Sequence, residues 1–469
     1  MDITGLTADS RAVAPGFLFA ALAGSKADGR DFVPAALARG ASAILVRTGS
    51  GLHLPQGVAL IEDADPRHRF ALMAAAFHGA QPETVVAVTG TNGKTSVASF
   101  YRQIMAVLGG RPAAIGTLGI IAEGWDNAGG LTTPDPAALH ESLARLAALG
   151  ITHACMEASS HGLDQRRLDG VRLKAAAFTN LTRDHLDYHG DMERYADAKL
   201  RLFTELLPEA GIAVINMDDA LGERFAAACR ARGIRVIGYG AKGAELRLIK
   251  AKPAPSGQVL TLSAFGEAVT VGLPLAGRFQ ADNVLAALGL ALACGADQAE
   301  ALAALERLEG VPGRLQKVAE RANGAAIFVD YAHTPDALES VLTALKPHAA
   351  RRLVAVFGCG GDRDSGKRPE MGAIACRLAD AMIVTDDNPR SEDPDAIRSA
   401  ILASCCGAIE IGDRREAIRT AVAGLQKGDV LVIAGKGHET GQIVGDTVHP
   451  FDDAEEARSA VLLADGRVS

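Results

Sequence analysis

The segment 85–96, VVAVTGTNGKTS, combines residue types that hold a phosphate group. Its first four residues form the β-branched run of a buried strand, and an apolar-periodic helix is predicted to follow as far as Leu108. Gly90 and Gly93 permit backbone conformations and close approaches that a Cβ would block. The residues expected to bind phosphate are Gly90, Thr91, Asn92, Gly93, Lys94, Thr95 and Ser96.

Each part of this loop has a chemical use. Loop and helix N–H groups would face the anion, Lys94 adds a positive charge, and the Thr95 hydroxyl is suited to a magnesium ion. Gly90 lies three positions before Gly93, whereas the common phosphate-binding loop has five. The shorter loop argues against a generic nucleoside triphosphatase, and the alternative is a plain strand-to-helix turn.

The composition limits the classes of function. A chain of 469 residues predicts two to four domains, and 48% hydrophobic with 22% charged residues is typical of a globular protein. A net charge of −8 argues against nucleic acid as a partner. No apolar run reaches the ~18 residues of a membrane span, and no signal peptide is recognisable. Seven cysteines without a Cys-x-x-Cys pair favour the cytoplasm.

Several predicted strands are followed directly by polar residues, and these strands are predicted to position the candidate site residues. The glycine loop, Glu157, Asn180 and Asn216 follow strands predicted at 85–89, 151–156, 175–179 and 212–215. Strands that alternate with helices indicate a mostly parallel sheet, in which ligands bind beyond the carboxyl ends of the strands.

The remaining pattern predicts three α/β domains. A helix at 31–39 and a strand at 42–46 indicate a small first domain, and short alternating runs at 251–277 indicate hairpins before a helical stretch at 282–308. Beyond the hinge-like 310–313, strands are predicted at 326–329, 353–357, 382–385 and 430–434. We expect a small N-terminal α/β domain at 1–82, a central domain with a P-loop-type, mostly parallel sheet at 83–310, and a Rossmann-like α/β domain at 311–469.

Seven segments resemble the Mur ligases, and most of all their meso-diaminopimelate-adding branch. They are GTNGKTS, MEASSHGL, FTNLTRDHLDYHG, VDYAHTPDAL, FGCGGDRDSGKRP, TDDNPR and AGKGHE, and the resemblance runs from Asp9 to about Asp446. It implies an ATP-dependent amide ligase that phosphorylates the D-glutamate γ-carboxylate of UDP-N-acetylmuramoyl-L-alanyl-D-glutamate. The amino group of meso-diaminopimelate then attacks the acyl phosphate. The role implied is cytoplasmic peptidoglycan synthesis, and with it cell shape and division.

The resemblance also implies metal and catalytic residues. Glu157 and His185 match positions that bind Mg²⁺ alongside Thr95, and Lys94 and Lys199 complete the catalytic set. Lys199 is similar to a lysine whose carbamate supports a second Mg²⁺; without the resemblance it is an ordinary solvated lysine. His185 and His189 have the spacing of a zinc helix, but no Glu lies between them, which favours magnesium.

Three further groups of residues are implied for the two nucleotides. Positions for the UDP-muramoyl dipeptide are Thr132, Thr133, Ser159, Gln165 and Arg167. Positions for its uridine end are Ser10, Ser25, Lys26 and Ala27. Positions that contact the base, phosphate and ribose of ATP are Asn283, Arg314 and Asp330 respectively.

The motif at 387–390 carries the argument for the amino-acid substrate. Lysine lacks the distal carboxylate of meso-diaminopimelate, so a discriminating site needs a fixed cation, and Arg390 can bind a carboxylate in bidentate fashion. Asp387 and Glu439 could receive the distal ammonium. The residues expected at this site are Arg363, Asp387, Asn388, Pro389, Arg390, Gly435 and Glu439.

Some residues depart from the family pattern, and other functions stay open. Ser96 replaces a Thr, Gln280 replaces an Asn near the adenine position, and Leu131 replaces a polar residue before Thr132. The alternatives are a folylpolyglutamate synthase, a lysine-adding relative and a nucleotide-binding regulatory protein descended from a ligase. The expected partners are small-molecule substrates, without nucleic acid or membrane, for a monomeric protein.

Overall fold

The computed structural model describes residues 2–24, 27–125, 131–254, 257–405 and 407–466. The chain divides into two compact units, and each is described by itself. The first unit comprises Met1–Leu248, Ser263–Glu267 and Asp282–Ala304. The second unit comprises Ile249–Leu262, Ala268–Ala281 and Leu305–Ser469. The domain boundaries given by the sequence therefore stay a prediction.

The first unit begins with a small parallel sheet. Its strands lie in the order β1-β2-β3-β4 and are β1 Gly5–Thr7, β2 Phe17–Ala20, β3 Ala43–Arg47 and β4 Ala59–Asp63. The helices are α1 Val33–Ala38 and α2 Pro66–His78. The predicted helix 31–39 is shorter than expected, because a 3₁₀ turn capped by Asp28 occupies Gly29–Phe32 before α1 begins.

A larger sheet carries the glycine loop. Its strands, in the order β11-β10-β9-β5-β8-β6-β7, are β5 Thr84–Thr89, β6 Pro112–Gly116, β7 Gly119–Ile121, β8 His153–Glu157, β9 Ala175–Phe178, β10 Ile212–Asn216 and β11 Arg235–Gly240. All these pairings are parallel except that of β6 with β7. The helices between them are α3 Lys94–Val107, α4 Pro136–Ala148, α5 Ser160–Asp164, α6 Leu186–His189, α7 Met192–Arg201 and α8 Gly222–Ala231. The predicted parallel sheet is confirmed.

Three strands and two helices follow. The strands are β12 Leu246–Ala254, β13 Gly257–Ala264 and β14 Glu267–Leu273, where short alternating runs predicted hairpins. The helices are α9 Arg278–Ala293 and α10 Gln298–Ala304. The predicted helical stretch over 282–308 is therefore made of two helices, which Gly295, with φ +95°, separates.

The second unit contains a six-stranded sheet. Its order is β15-β16-β20-β17-β18-β19, and only β15 is antiparallel. The strands are β15 Gln316–Glu320, β16 Ala326–Asp330, β17 Leu353–Phe357, β18 Ala381–Val384, β19 Ile409–Glu410 and β20 Val430–Ala434, and a hairpin follows as β21 Gly441–Val444 and β22 Thr447–Pro450. The helices are α11 Pro335–Leu345, α12 Lys367–Leu378, α13 Pro394–Leu402, α14 Arg414–Ala423 and α15 Asp453–Ala464.

The cores explain why these elements form. The strands β5, β9, β17 and β20 are mostly apolar and almost entirely buried, as expected for strands that are covered on both faces. Asp393 caps α13 by accepting from the Asp395 N–H. Among the described residues, no helix is both long and apolar enough to cross a membrane.

Candidate active site

The glycine loop joins the end of β5 to the start of α3. Gly90 and Gly93 adopt φ values of +152° and +89°, which a side chain would strain. A Cβ at Gly90 would clash with the Thr179 hydroxyl, and one at Gly93 with the Asn283 amide. Gly93 precedes the first residue of α3 and has no side chain to cap it, so the N-terminus of this helix, the end that favours an anion, lies at the loop.

Residues after β9 hold the loop in place. The Thr91 N–H donates to the Asn180 carbonyl oxygen at 2.8 Å, and the Asn92 N–H donates to Asn180 Oδ1 at 2.9 Å. In return the Thr179 hydroxyl donates to the Asn92 carbonyl oxygen at 2.6 Å. The glycine loop is thus fixed by residues that follow the neighbouring parallel strand, and Asn180, which had no assigned role, is part of the support.

We expect Gly93→Ala to destabilise the protein by about 1–3 kcal/mol more than Gly109→Ala. Both positions have positive φ, but the space around Gly109 is open, whereas a Cβ at Gly93 meets the Asn283 amide. Chemical denaturation of the two variants measures the difference, and nucleotide binding should weaken only in Gly93→Ala. Equal losses of stability would show that the backbone strain alone matters and that Asn283 does not confine the loop.

Two lysines converge on the same carbonyl group. Lys94 Nζ donates to the carbonyl oxygens of Gly90 and Thr91, both at 2.9 Å, and Lys199 Nζ donates to that of Gly90 at 2.8 Å. Lys199 is 1% exposed and its ammonium lies 4.5 Å from the centre of the Tyr195 ring. Burial, and secondarily the charge of Lys94, hold the pKa of Lys199 well below its usual range. Lys199 therefore has access to the neutral amine form, which is the nucleophilic one.

Glu157 ends β8 as a buried carboxylate with neutral donors. It is 2% exposed, and its oxygens accept from the Thr95 hydroxyl at 3.1 Å, the Thr117 N–H at 2.8 Å and the Thr117 hydroxyl at 3.2 Å. No lysine or arginine of the described residues forms an ion pair with it. A carboxylate beside a hydroxyl is the oxygen donor set that Mg²⁺ prefers, so Glu157 and Thr95 fit this ion.

His185 lies among acidic and aromatic side chains. It precedes α6 with φ +52°, and its imidazole pairs with Asp184 at 3.4 Å and lies 4.9 Å from the His161 ring. Because His185 is outside the helix, it does not form the helical zinc pair with His189 that the spacing suggested. Within the described ranges, no three His, Cys, Asp or Glu side chains cluster as metal ligands. The magnesium role of His185 stays a prediction.

Most of the residues expected for the muramoyl dipeptide lie together beside Glu157. The Thr133 hydroxyl donates to the Glu157 carbonyl oxygen at 2.8 Å and lies 3.0 Å from the Ser159 hydroxyl. Arg167 donates to the Thr133 carbonyl oxygen at 2.7 Å and to Gln165 Oε1 at 2.8 Å. The Thr132 hydroxyl lies 3.0 Å from the Thr117 hydroxyl, which in turn contacts Glu157.

The residues expected for the uridine end are less completely described. Ser10 lies in a 3₁₀ turn capped by Asp9, and the carbonyl oxygen of Ala27 accepts from the Gly24 N–H at 2.9 Å. No hydrogen bond among the described residues joins Ser10 or Ala27 to the group around Thr133. Ser25 and Lys26 lie outside the described residues.

In the second unit, Asp330 ends β16 and holds a turn. Its two oxygens accept from the Leu315 N–H at 2.5 Å and the Ala332 N–H at 2.8 Å. Burial raises the pKa of Asp330 to about 6, against the opposing effects of Arg314 and the two N–H groups. The Arg314 guanidinium lies 4.8 Å from the centre of the Tyr331 ring. Both oxygens of Asp330 thus accept backbone N–H groups, one of them from Leu315, which has a left-handed conformation. The contact of Asp330 with a ribose stays a prediction.

The motif after β18 forms a polar group with the end of β20. Asn388 Nδ2 donates to Glu439 Oε2 at 2.9 Å. Asp387 is 7% exposed, and its Oδ2 has no hydrogen-bond partner among the described residues. A Cβ at Gly435, where φ is +120°, would clash with this oxygen. The predicted Asp387, Asn388, Gly435 and Glu439 are therefore brought together.

Arg390 is held at one side of this group by its backbone. It adopts φ +52°, its N–H donates to the Ile443 carbonyl oxygen at 3.1 Å, and its own carbonyl oxygen accepts from Gly445 at 2.8 Å. Its guanidinium donates to the Gly361 carbonyl oxygen at 2.7 Å and is partly exposed. Pro389 is buried, whereas Arg363 is exposed and forms no ion pair with the described residues.

Sequence reasoning missed three residues that complete these groups. Thr117, which donates twice to Glu157, follows β6, so its place at a strand end was a usable signal. Tyr195 lies four residues before Lys199 on α7, the spacing that brings two side chains to one helix face. Lys436 lies inside the quoted AGKGHE segment but had no assigned role.

Comparison with family descriptions gives three matches that follow one another along the chain. "Mur ligase family, catalytic domain" matches residues 2–82, "Mur ligase middle domain" matches 88–291, and "Mur ligase, glutamate ligase domain" matches 313–437. Together they span most of the chain.

Individual relatives extend this similarity over almost the full length. Proteins from Caulobacter vibrioides and Bradyrhizobium diazoefficiens are 57% and 55% identical, each over 98% of this chain and 95% of their own. Both are described as UDP-N-acetylmuramoyl-L-alanyl-D-glutamate–2,6-diaminopimelate ligases. A solved structure of that description is 37% identical, covers 98% of this chain and 94% of its own, and has a TM-score of 0.74. A Mycobacterium tuberculosis folylpolyglutamate synthase shares only the fold, at 22% identity over 84% of this chain and 94% of its own, with a TM-score of 0.64.

The fold, the short glycine loop and these similarities define an ATP-dependent ligase that forms amide bonds. More particularly, the chain belongs to the Mur ligase family. The expected three-domain α/β architecture, with large and mostly parallel sheets, is confirmed.

Proposed function

We propose that this ligase adds meso-diaminopimelate to the D-glutamate γ-carboxylate of UDP-N-acetylmuramoyl-L-alanyl-D-glutamate, in peptidoglycan precursor synthesis. The observation that carries the proposal is the cation of Arg390, whose backbone is fixed by the hairpin β21–β22 and which follows closely on Asn388, the hydrogen-bond donor to Glu439. A carboxylate at Arg390 and an ammonium at the two acids match the distal end of diaminopimelate. Relatives that are 57% and 55% identical over almost the whole chain support it.

The first unit supplies the phosphoryl-transfer chemistry in this proposal. Lys94 and the N–H groups at the start of α3 hold the ATP phosphates, where the positive charge offsets the repulsion between two anionic substrates. Arg167, with Thr133 and Ser159, holds the muramoyl dipeptide so that its γ-carboxylate meets the γ-phosphate. Transfer of the γ-phosphoryl group to this carboxylate releases ADP and gives an acyl phosphate. The amino group of diaminopimelate then attacks the acyl carbon, and phosphate leaves.

Magnesium and a modified lysine belong to the same proposal. Glu157 and Thr95 would hold Mg²⁺, with His185, and the ion supplies charge neutralisation at the phosphates when it is bound. Lys199 would react with carbon dioxide, because its buried amine has a lowered pKa and lies against the glycine loop. Its carbamate would support a second Mg²⁺.

The setting of the reaction follows from its substrates. ATP and UDP-linked precursors are cytoplasmic metabolites, so we place the protein in the cytoplasm, as a monomer that acts in cell-wall biogenesis and thereby in cell shape and division.

Phosphate release with a panel of amines tests the proposal. We expect release to need ATP, Mg²⁺ and the UDP-dipeptide together, and to be fastest with meso-diaminopimelate, followed distantly by lysine and glutamate. EDTA should stop it. Preference for lysine would indicate a lysine-adding relative, and preference for glutamate with a folate acceptor would indicate a folylpolyglutamate synthase. Nucleotide binding without phosphate release under any condition would favour a regulatory protein.

A further inference from the structure

Lys436 is a fully buried lysine at the end of the central strand β20. Its side chain is 0% exposed, and β20 lies between β16 and β17 in the sheet. A buried ammonium is costly unless its donors are satisfied and its charge is compensated. Lys436 Nζ donates to Asn388 Oδ1 at 2.9 Å and to Glu439 Oε2 at 3.1 Å. Both acceptors belong to the residues proposed to bind the amino acid.

These contacts fix the orientation of Asn388 and Glu439. Asn388 Oδ1 accepts from Lys436 and from the Ile443 N–H at 2.9 Å, so its amide nitrogen must face Glu439. Glu439 Oε2 thereby receives two donors. Its other oxygen accepts no hydrogen bond from the described residues and is available to a ligand ammonium.

Lys436 also sets the charge of the site. Asp387 and Glu439 contribute two negative charges, and Lys436 and Arg390 contribute two positive ones. The nearby Arg414 adds nothing, because it forms a bidentate pair with Asp453 at 2.7 Å and both side chains are 0% exposed. Asp386 is likewise paired with Arg398. Arg363, which is also expected at this site, is exposed and adds a further cation, so Lys436 raises the net charge of the group by one and favours a distal end that carries a carboxylate.

We propose that Lys436 is a specificity-determining and positioning residue for the amino-acid substrate. It holds Asn388 and Glu439 in place and cancels one acidic charge, so that the site favours a zwitterionic distal end over a bare ammonium. This inference rests on the proposed function. Without the Lys436 charge, the site becomes more negative by one charge, and the electrostatic preference shifts towards lysine.

The test compares meso-diaminopimelate with lysine in two variants. Lys436→Gln keeps a hydrogen-bond donor but removes the charge, and Lys436→Met removes both. We expect the ratio of kcat/KM for diaminopimelate to that for lysine to fall by about tenfold or more in both, with the KM for ATP unchanged within about twofold. Lys427→Gln, an exposed lysine shortly before the same strand begins, is the matched control and should leave the ratio unchanged.

The outcomes separate this inference from the proposed function. If the unmodified protein does not use diaminopimelate, the proposed function fails before any variant is made. If it does, and the variants lose diaminopimelate and lysine turnover equally, Lys436 has a structural role only and the inference is overturned. Should Lys436→Met fail to fold, Lys436→Gln decides, because its donor can still reach Asn388; a ratio equal to that of the unmodified protein contradicts the proposal.

Discussion

Lys199→Ala is expected to lower the ligase rate by roughly 100- to 1000-fold. The neutral amine that burial and Lys94 favour is the form that reacts with carbon dioxide, and the alanine variant cannot provide the resulting carboxylate oxygens. A short carboxylic acid such as formate or acetate should enter the space left by the lysine side chain and restore part of the activity. Phosphate release with and without added acid measures both effects.

Two controls distinguish modification from charge. Lys199→Arg keeps a cation at this position but cannot form the carbamate, so we expect the same loss as in Lys199→Ala. Lys174→Ala, an exposed lysine just before β9, should keep full activity. Full activity of Lys199→Ala would end the carbamate proposal. Loss of activity in Lys199→Ala together with normal activity in Lys199→Arg would mean that only the positive charge matters.

Arg390→Lys is expected to reduce kcat/KM for meso-diaminopimelate by about 30- to 150-fold, equivalent to about 2–3 kcal/mol. The planar guanidinium can bind a carboxylate with two parallel hydrogen bonds, and a lysine ammonium cannot reproduce that geometry. The KM for ATP should stay within about twofold, because the predicted phosphate-binding loop lies elsewhere in the chain. Steady-state kinetics with each substrate varied in turn provides the measurement.

The matched control for this change is Arg419→Lys, on the exposed face of α14 in the same unit. It should leave every constant unchanged. Kinetics for diaminopimelate that are identical in Arg390→Lys and in the unmodified protein would remove Arg390 from the substrate site. A rise in the KM for ATP of the same size as the loss for diaminopimelate would point instead to a general disturbance of the second unit.

Local sequence was sufficient to predict the strands that are followed by candidate site residues. The strands at 353–357 and 430–434 were predicted with the bounds that the structure has, because short uninterrupted apolar runs between helices indicate strands covered on both faces. The glycine loop was also predicted from the local sequence. Gly90 and Gly93 adopt positive φ values, and glycine is the residue type that adopts such values without strain.

Local pattern was misleading where the backbone left the regular helix. His185 and His189 have the i, i+4 spacing of a zinc-binding helix, which the absence of a Glu between them already disfavoured, and the structure shows His185 in a left-handed conformation before α6 begins. The helical stretch 282–308 was likewise broken at Gly295. In both cases a single residue with positive φ interrupts the helical backbone. The spacing of the hydrophobic residues on either side does not indicate this interruption.

By itself, the sequence determined the sheet-and-helix pattern, the phosphate-binding loop and the acidic and basic residues at the strand ends, because each depends on residue types within a few positions. Only the tertiary structure decided which of these side chains meet. Thr117 and Glu157 are 40 residues apart, Lys199 and Gly90 are 109 apart, and Lys436 and Asn388 are 48 apart. Parallel pairing brings the carboxyl ends of distant strands to one edge, and burial there fixes which donor satisfies which acceptor.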